Sequence, residues 1–246
     1  MLIDFQSLFQ AGAEMESIIY AESLASTSGH GSMQLGTELS FGALLAGLPD
    51  KHRAWSLTET YLEQGRWHGK FIDREELINE LLTPVYNFRN QNHLESLQEK
   101  FQAFSAHKLA VLFLVFTIGA LVDLTIVADS TEADGYFQSA RAALSLHSIV
   151  SSPEIATVQA LALMCQCHCQ GGRHYNPDAA WTHISLAAKR SQSIGLRDEY
   201  FFALHAYIYF PDRECPPQWK LDVCAMNKRR TLFWEIFVLD TFLVTS

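Results

Sequence analysis

The sequence predicts an all-α fold, built as a multi-helical array of antiparallel hairpins. After Asp50 nearly every segment spaces its apolar residues with the period of a helix, and none alternates apolar and polar residues over several positions. Residues that start and stop helices recur between these segments. Successive helices joined by short glycine-containing turns pack as antiparallel hairpins, so these observations together predict the array.

The first half of this array contains three amphipathic stripes. Asp50 is the predicted N-cap of a helix that ends near Gly65, and Asp73 is the predicted N-cap of a helix that ends at Pro84. The inward positions of these two helices are Trp55, Thr58, Tyr61, Leu62, Leu77, Ile78, Leu81 and Leu82. The third stripe consists of Leu94, Leu97, Phe101 and Phe104.

The run from Leu109 to Val127 is the most apolar part of the chain. A membrane-spanning helix needs about 20 apolar residues. Asp123 interrupts the run near its end and Lys108 precedes it, which leaves too short an uninterrupted stretch. A helix that is apolar on all sides also suits the centre of a large helical protein, so we predict a buried core helix and no membrane partner.

The second half carries clear capping chemistry. Ser152-Pro153-Glu154 predicts a helix start, with Ser152 as N-cap and Pro153 in the first turn. That helix should run to about Gln170, with Gly171-Gly172 supplying a left-handed stop. Asn176-Pro177-Asp178 predicts the next start, and Gly195 the next stop. Close approach of the two helix backbones is favoured by Ala179, Ala180, Ala187 and Ala188.

Composition separates two regions and excludes autonomous DNA binding. Residues 1–40 are acidic and partly disordered in our interpretation, because the first fifty residues lack Lys and Arg and residues 26–37 are rich in Ser, Thr and Gly. Residues 41–246 form the predicted helical domain. The chain has 27 acidic and 18 basic residues and a formal charge of -9, which would repel a phosphate backbone. The start of the sequence lacks the positive charge of a secretory signal, which predicts an intracellular protein.

The cluster of Cys165, Cys167, His168 and Cys169 is the one group of residues that suggests a metal. On a helix, Cys165, His168 and Cys169 share a face, and three such ligands with a fourth can bind zinc. The same face continues through apolar residues, and thiols are among the most buried side chains. We therefore favour a core position and predict no metal or cofactor in this chain, with zinc at Cys165, His168 and Cys169 as the alternative.

Catalytic motifs are absent from the sequence. It has no glycine-rich phosphate loop, nucleophile elbow, paired-histidine zinc signature or dinucleotide fingerprint. The ten histidines are scattered, and none has a partner histidine three or four residues away. We predict that the protein is not an enzyme.

Five segments in this order resemble the fungal-specific transcription factor domain. They are Tyr136 to Leu144, Ser152 to Leu161, Ala180 to Ala187, Gln192 to Leu196 and Arg229 to Asp240. Weaker likeness lies around Trp67, Glu80 to Tyr86 and His107 to Phe113, so the resemblance covers roughly residues 40 to 246. The residues that form the structural signature of the resemblance are Trp181, Gly195, Arg229, Arg230, Trp234 and Asp240.

The resemblance implies the middle regulatory region of a fungal binuclear zinc-cluster transcription factor, which regulates DNA-templated transcription in the nucleus. Such factors carry zinc and contact DNA through an N-terminal cluster of six cysteines. This chain has five cysteines, all from Cys165 onward, so the cluster is absent from it and DNA would be a partner only through that missing module. Other segments of the factor, co-regulators and a small-molecule effector are the implied partners. The alternatives are a helical protein-interaction scaffold without DNA binding and a metal or redox module at Cys165.

The resemblance also bears on the last segment. The family pattern continues beyond Asp240, so we expect a C-terminally incomplete domain whose final helix exposes apolar residues. The residues expected there are Phe237, Leu239, Phe242, Leu243 and Val244. The basic triplet Lys228 to Arg230 suits either a nuclear signal or a structural helix start with an arginine paired to Asp240 or Glu235, and we favour the structural role. Trp234 is predicted to be the buried anchor of this helix.

Overall fold

Helices are the regular elements of the described residues, in agreement with the predicted all-α fold. The structure, a computed structural model, describes residues 40–90, 104–125, 131–150, 154–170, 172–196 and 223–245. The predicted stripe of Leu94, Leu97 and Phe101 lies outside these ranges, whereas Phe104 is described and buried. A short helical segment at residues 40–46 precedes the longer elements.

Seven α-helices follow this segment in the described ranges. They are α1 (Lys51–Thr60), α2 (Thr83–Asn90), α3 (Ala106–Val122), α4 (Thr131–Ser145), α5 (Ile155–Cys169), α6 (Pro177–Ser193) and α7 (Val223–Thr245). Two π-helical turns, Tyr61–Gly65 and Glu76–Leu82, extend α1 at its end and α2 at its start. Helix α3 packs against α1, α4 and α5, while α6 packs between α5 and α7.

The core of the fold is α3, as the apolar run predicts. Residues Leu109 to Phe116 are fully buried, because neighbouring helices cover α3 on several sides. Ser105 caps its start by accepting a hydrogen bond from the His107 backbone N–H at 3.2 Å. Among the described helices, none is long and apolar enough to cross a membrane.

Helix α1 starts where the sequence predicts. The Asp50 carboxylate accepts a hydrogen bond from the Arg53 backbone N–H at 2.9 Å, and the helix continues as a π turn to Gly65. Its side chains Thr58 and Tyr61 are buried, as expected, while Trp55 is half-buried against the core. Helix α1 therefore has its inward face where the apolar spacing placed it.

The predicted end of the next helix at Pro84 is wrong. The chain passes through Pro84 within α2, directly after the π turn Glu76–Leu82. In that turn the Thr83 N–H donates to the carbonyl oxygen of Ile78, five residues back. The wider turn leaves a carbonyl without its usual α-helical donor, so the missing N–H of proline costs less there than in a regular helix. Buried side chains on both sides of the proline, including Leu82 and Val85, hold the segment in place.

A charged cluster joins α1 to the α3–α4 pair. The Arg53 guanidinium donates to both carboxylate oxygens of Glu132 at 3.0 and 2.9 Å, and to Asp123 Oδ2 at 3.1 Å. The Tyr136 hydroxyl donates to Glu132 at 3.0 Å. The hydrogen bonds from Arg53 lower the pKa of Glu132 below its ordinary value. Because the contact is bidentate and partly buried, it orients three helices more strongly than a surface pair would.

Helices α5 and α6 form the predicted antiparallel hairpin, with one corrected boundary. The N-cap of α5 is Glu154 rather than Ser152, because its backbone N–H donates to Thr157 Oγ1 at 3.0 Å in a capping box. Helix α5 ends at Cys169, near the predicted Gln170, and Gly172 begins a short 3-10 turn instead of adopting a left-handed conformation.

The predicted ends of α6 are confirmed. Asn176 accepts a hydrogen bond from the Ala179 N–H at 3.0 Å, with Pro177 in the first turn. Gly195 has φ 78°, a left-handed conformation that favours glycine. Of the four alanines, Ala180 and Ala187 are fully buried. Small residues therefore line the packed side of α6.

The prediction that Trp234 is the buried anchor of α7 is wrong. Trp234 is 38% exposed, whereas Leu232, Ile236 and Leu239 are buried. Positions 232, 236 and 239 lie on one face of a helix, and residue 234 is about 200° away from residue 232. Since α6 packs against α7 and the buried residues form one face, Trp234 lies on the other side of the helix.

The expected exposure of apolar residues on α7 is found in part. Phe237 is 49% exposed, and Val238 and Phe242 are more exposed still. Leu239, in contrast, is buried, and Leu243 is half-buried against the core. The side chain of Val244 lies outside the described residues.

Ile236, and not Trp234, is the buried residue of α7, and this difference can be tested directly. Ile236→Ala is expected to lower the free energy of unfolding by about 2–3 kcal/mol, because it leaves a cavity between α7 and α6. Trp234→Ala should cost less than half as much, since the indole keeps much of its surface in solvent. Urea denaturation of both variants measures the difference, and a larger loss for Trp234→Ala would restore tryptophan as the anchor.

Candidate functional site

A cleft with charged and apolar lining lies beside the first turns of α7. Its other walls are the segment 70–73, the π turn before α2 and the start of α5, and its volume is about 300 Å³. The cleft is lined by Lys70, Phe71, Ile72, Asp73, Glu76, Glu80, Ile155, Gln159, Ala225, Lys228, Arg229, Thr231 and Leu232. Because three distant parts of the sequence meet here, the cleft exists only in the folded chain.

Gln159 forms the floor of the cleft. It lies in α5, is 4% exposed, and donates through Nε2 to the Phe71 carbonyl oxygen at 3.2 Å and to Glu76 Oε1 at 2.9 Å. Both amide hydrogens are therefore used, and the amide oxygen has no hydrogen-bond partner among the described residues. A buried amide fixed in this way presents an acceptor to any molecule that enters.

Glu76 is the half-buried acid beside Gln159. Burial raises the pKa of its carboxyl above the ordinary value, and the neighbouring Glu80 and Asp73 act in the same direction. The hydrogen bond from Gln159 and the charge of Lys228 oppose this shift. No cation forms an ion pair with Glu76 in the described part of the chain, so its carboxylate is only partly compensated.

Lys228 closes the mouth of the cleft. Its Nζ lies 3.5 Å from Glu80 Oε1, and this pair connects α7 to the π turn. The Glu80 side chain is 58% exposed, so water competes with the contact and the pair can open at little cost. Arg229 lines the same mouth. The position of α7 is thus linked to the charges around the cleft.

The predicted metal face is only partly assembled. The thiols of Cys165 and Cys169 hydrogen-bond to each other, which lowers the pKa of Cys169 to about 7 and raises that of Cys165. Cys167 lies two residues from Cys165, on the other side of the helix. It is also fully buried, since α5 is covered on all sides, and burial raises the pKa of its thiol. His168 turns to other partners. Within the described ranges, no three His, Cys, Asp or Glu side chains are grouped closely enough to hold a metal ion.

His168 belongs to a group of histidines at the closed end of the hairpin. Its Nδ1 lies 2.7 Å from the His174 carbonyl oxygen, and its ring stacks on His183 with a centroid distance of 5.2 Å. Phe137 meets it edge to face. Burial lowers the pKa of both His168 and His183, which favours neutral rings in a packed cluster.

The residues of the family-like signature are spread over the second half of the fold. Gly195 ends α6 and Trp181 is half-buried on that helix. Arg230 donates to Asn227 Oδ1 at 2.7 Å in the second turn of α7. Asp240, predicted to pair with an arginine, accepts a hydrogen bond from Ser185 at 3.3 Å and so joins α7 to α6.

The basic triplet makes a different ion pair from the one the sequence indicated. Its contact across the cleft is the Lys228–Glu80 pair, which joins α7 to the π turn before α2. Pairing of an arginine with Asp240 or Glu235 stays a prediction. A structural role for the triplet therefore rests on the lysine.

Sequence reasoning missed Gln159, Glu76 and Glu80. A signal for Gln159 was present, because a glutamine among the apolar residues of α5 needs a buried polar partner. The signal for the two glutamates was hidden, since a helix start enriched in acids ordinarily indicates a solvated first turn. Arg229 was singled out by the sequence and does line the cleft.

These observations define a helical domain, in the residues that the structure describes, with a cleft of mixed polar and apolar lining beside its last described helix. The chain belongs to the family of the fungal specific transcription factor domain, whose family model matches residues 64–246. Comparison with curated proteins and with solved structures gave no match. The match confirms the resemblance drawn from the sequence and identifies the chain as a transcription factor regulatory region. Members of this family are generally not enzymes.

Proposed function

We propose that this chain is the regulatory domain of a fungal zinc-cluster transcription factor and acts in the nucleus on DNA-templated transcription. The single observation that supports this proposal is the family match over residues 64–246. DNA contact and zinc binding belong to a separate six-cysteine module, since the five cysteines here lack that pattern and the net charge of -9 opposes DNA binding. The domain itself binds no metal and catalyses no reaction in this proposal.

The geometry supports a role for α7 in transmitting a signal. Helix α7 packs on α6 through one apolar face, and its contact with the π turn is the openable Lys228–Glu80 pair. A change at the cleft can therefore shift α7, and with it the exposed Phe237 and Val238, without unfolding the core. Other segments of the factor or co-regulators would recognise that surface.

A reporter experiment tests this function. The chain is placed between a heterologous DNA-binding module and an activation segment, and reporter output is compared with that of a fusion lacking the chain. The domain is expected to lower output by about fivefold or more. Glu80→Lys, which places two cations together at the cleft, should relieve much of this restraint, and the double variant Glu80→Lys with Lys228→Glu should restore it.

The exposed apolar residues of α7 also suit a second candidate function, a helical protein-interaction scaffold without a transcriptional role. The same experiment separates the two. A fusion whose output equals that of the fusion lacking the chain, with no response to charge reversal at Glu80, would favour the scaffold. Protein levels must match by immunoblot, because a destabilised fusion would also change the output.

A further inference from the structure

Two thiols at the end of α5 form a chemical group that the proposed function leaves unused. Cys165 and Cys169 are four residues apart, about one helical turn, so their side chains lie on the same face of α5. Both are free thiols, and they hydrogen-bond to each other. The two sulfur atoms are therefore neighbours before any reaction occurs.

The two thiols differ in their access to solvent. Cys165 is fully buried, whereas Cys169, the last residue of α5, is partly exposed. A small reagent in solution can therefore reach Cys169, while Cys165 is shielded behind it. An accessible thiol beside a second thiol is the arrangement of cysteines that react with oxidants, in which the second thiol captures the oxidised first one.

The contact between the thiols makes Cys169 the more reactive of the two. The hydrogen bond from Cys165 lowers the pKa of Cys169 to about 7, although burial acts in the opposite direction. The C-terminal end of a helix also disfavours a negative charge, so the thiolate of Cys169 depends on Cys165 as its donor. Because the thiolate is the form that attacks an oxidant, Cys169 is poised to react at neutral pH.

The end of the helix allows the two sulfur atoms to be joined. Cα atoms four residues apart on an α-helix are separated by about 6.2 Å, which lies within the range that disulfides span. The remaining approach can come from Cys169, because α5 ends there and Gln170 is already its C-cap. A bond between Cys165 and Cys169 therefore requires adjustment of the last turn and leaves the buried part of α5 in place.

We propose that Cys169 and Cys165 form a modification site, which a hydroperoxide oxidises to a reversible disulfide within α5. The Cys169 thiolate attacks one peroxide oxygen and the O–O bond breaks, which gives a sulfenic acid and an oxyanion that takes a proton from solvent. The Cys165 sulfur then attacks the Cys169 sulfur, and the sulfenic hydroxyl leaves with the Cys165 proton as water. The two thiols lose two electrons and the peroxide gains two, and a dithiol reductant reverses the change.

Peptide mapping of the full, unsubstituted chain tests the proposal. The reduced protein is treated with hydrogen peroxide at pH 7, the remaining thiols are blocked with N-ethylmaleimide, and the peptide that contains Cys165, Cys167 and Cys169 is fragmented. We expect this peptide to lose two hydrogens, with the disulfide between Cys165 and Cys169 and the maleimide on Cys167. Dithiothreitol should restore all three thiols. Cys167 is an internal control, because it is fully buried on the other side of the helix.

Variants separate the two roles of Cys165, as hydrogen-bond donor and as the thiol that closes the disulfide. The rate at which iodoacetamide alkylates Cys169 should rise with pH with a midpoint at about pH 7. Cys165→Ala should move this midpoint to about pH 8.5 and slow alkylation at pH 7 by about three- to sixfold. Cys165→Ser keeps a donor, so its midpoint should stay below that of the alanine variant. The matched control Cys167→Ala should change neither the midpoint nor the disulfide.

Both variants at position 165 should stop at the sulfenic acid of Cys169, which dimedone traps. Circular dichroism establishes that each variant is folded before its thiols are compared. The mapping of the unsubstituted chain decides the matter if the variants prove unstable, because it requires no substitution.

Three results would overturn the proposal. They are a peroxide-treated chain in which Cys169 stays reduced, oxidation of Cys169 that passes to the sulfinic acid without a disulfide to Cys165, and a folded Cys165→Ala variant with an unchanged alkylation midpoint. The site does not depend on the proposed regulatory function, since each readout is a chemical change in the purified chain. A reporter that fails to respond to the domain would leave the disulfide result standing, and the reverse also holds.

Discussion

Gly119→Ala is expected to destabilise the domain by about 3 kcal/mol, because α3 and α1 touch through their backbones at this glycine. A Cβ atom at Gly119 would overlap the Leu57 carbonyl oxygen and lie 3.0 Å from its carbonyl carbon. Both helices are buried there, and a backbone atom cannot turn aside as a flexible side chain would. The two helices would have to separate, which would open the packing around the centre of the fold.

Gly135→Ala is the matched control for this prediction. Gly135 lies inside α4, and a Cβ atom there would meet nothing within 4 Å. Alanine has the higher helix propensity, so this variant should gain about 0.5–1 kcal/mol. Chemical and thermal denaturation of the two variants give the comparison. Equal effects of the same sign would mean that helix propensity, and not the close approach at Leu57, determines the outcome at Gly119.

The parts of the fold that could be predicted from sequence are those set by local chemistry. Asp50 and Asn176 carry cap side chains whose hydrogen bonds form within three residues, and Gly195 needs only its own backbone freedom. The burial of α3 followed from composition alone, since no polar face exists to meet water. Each of these predictions depended on residues close together in the chain.

The failures arose where a distant or competing contact decided the structure. Pro84 ordinarily ends a helix, but the π turn before it removed the conflict, and hydrophobic periodicity does not reveal a π turn. Trp234 has the largest side chain of α7, yet the direction of packing on α6 placed Ile236 inward instead. Size indicates a core residue only when the packed face of its helix is known.

The cleft was beyond sequence reasoning for the same reason. Glu76, Gln159 and Lys228 are separated by roughly seventy to eighty residues from one to the next, and each has an ordinary local explanation. Only their assembly gives a floor of acceptors facing a wall of cations. By comparison, the cysteine cluster was conspicuous because its members are adjacent in sequence, although His168 turns to His174 and His183 in the fold.

Phe113→Ala is expected to lower the free energy of unfolding by about 3–5 kcal/mol, since it empties the centre of the core. Phe113 is fully buried in α3, meets Phe116 edge to face, and stacks on Tyr136 of α4 with ring centroids 6.4 Å apart. The aromatic contacts add to the loss of buried area. Urea denaturation followed by far-UV circular dichroism measures the change.

Phe237→Ala provides the same chemical change at a site that is 49% exposed on α7, and it should cost less than about 1 kcal/mol.

Comparison of Phe113→Ala with Phe237→Ala also distinguishes a loss of stability from a loss of regulatory function. Phe113→Ala should weaken every readout in proportion to its loss of folded protein, because α3 supports α5 and therefore Gln159. Phe237→Ala should leave folding nearly intact while reducing regulation in the reporter. If both variants melt alike, α7 is packed more tightly than its exposure indicates, and a role as a movable element would lose its basis.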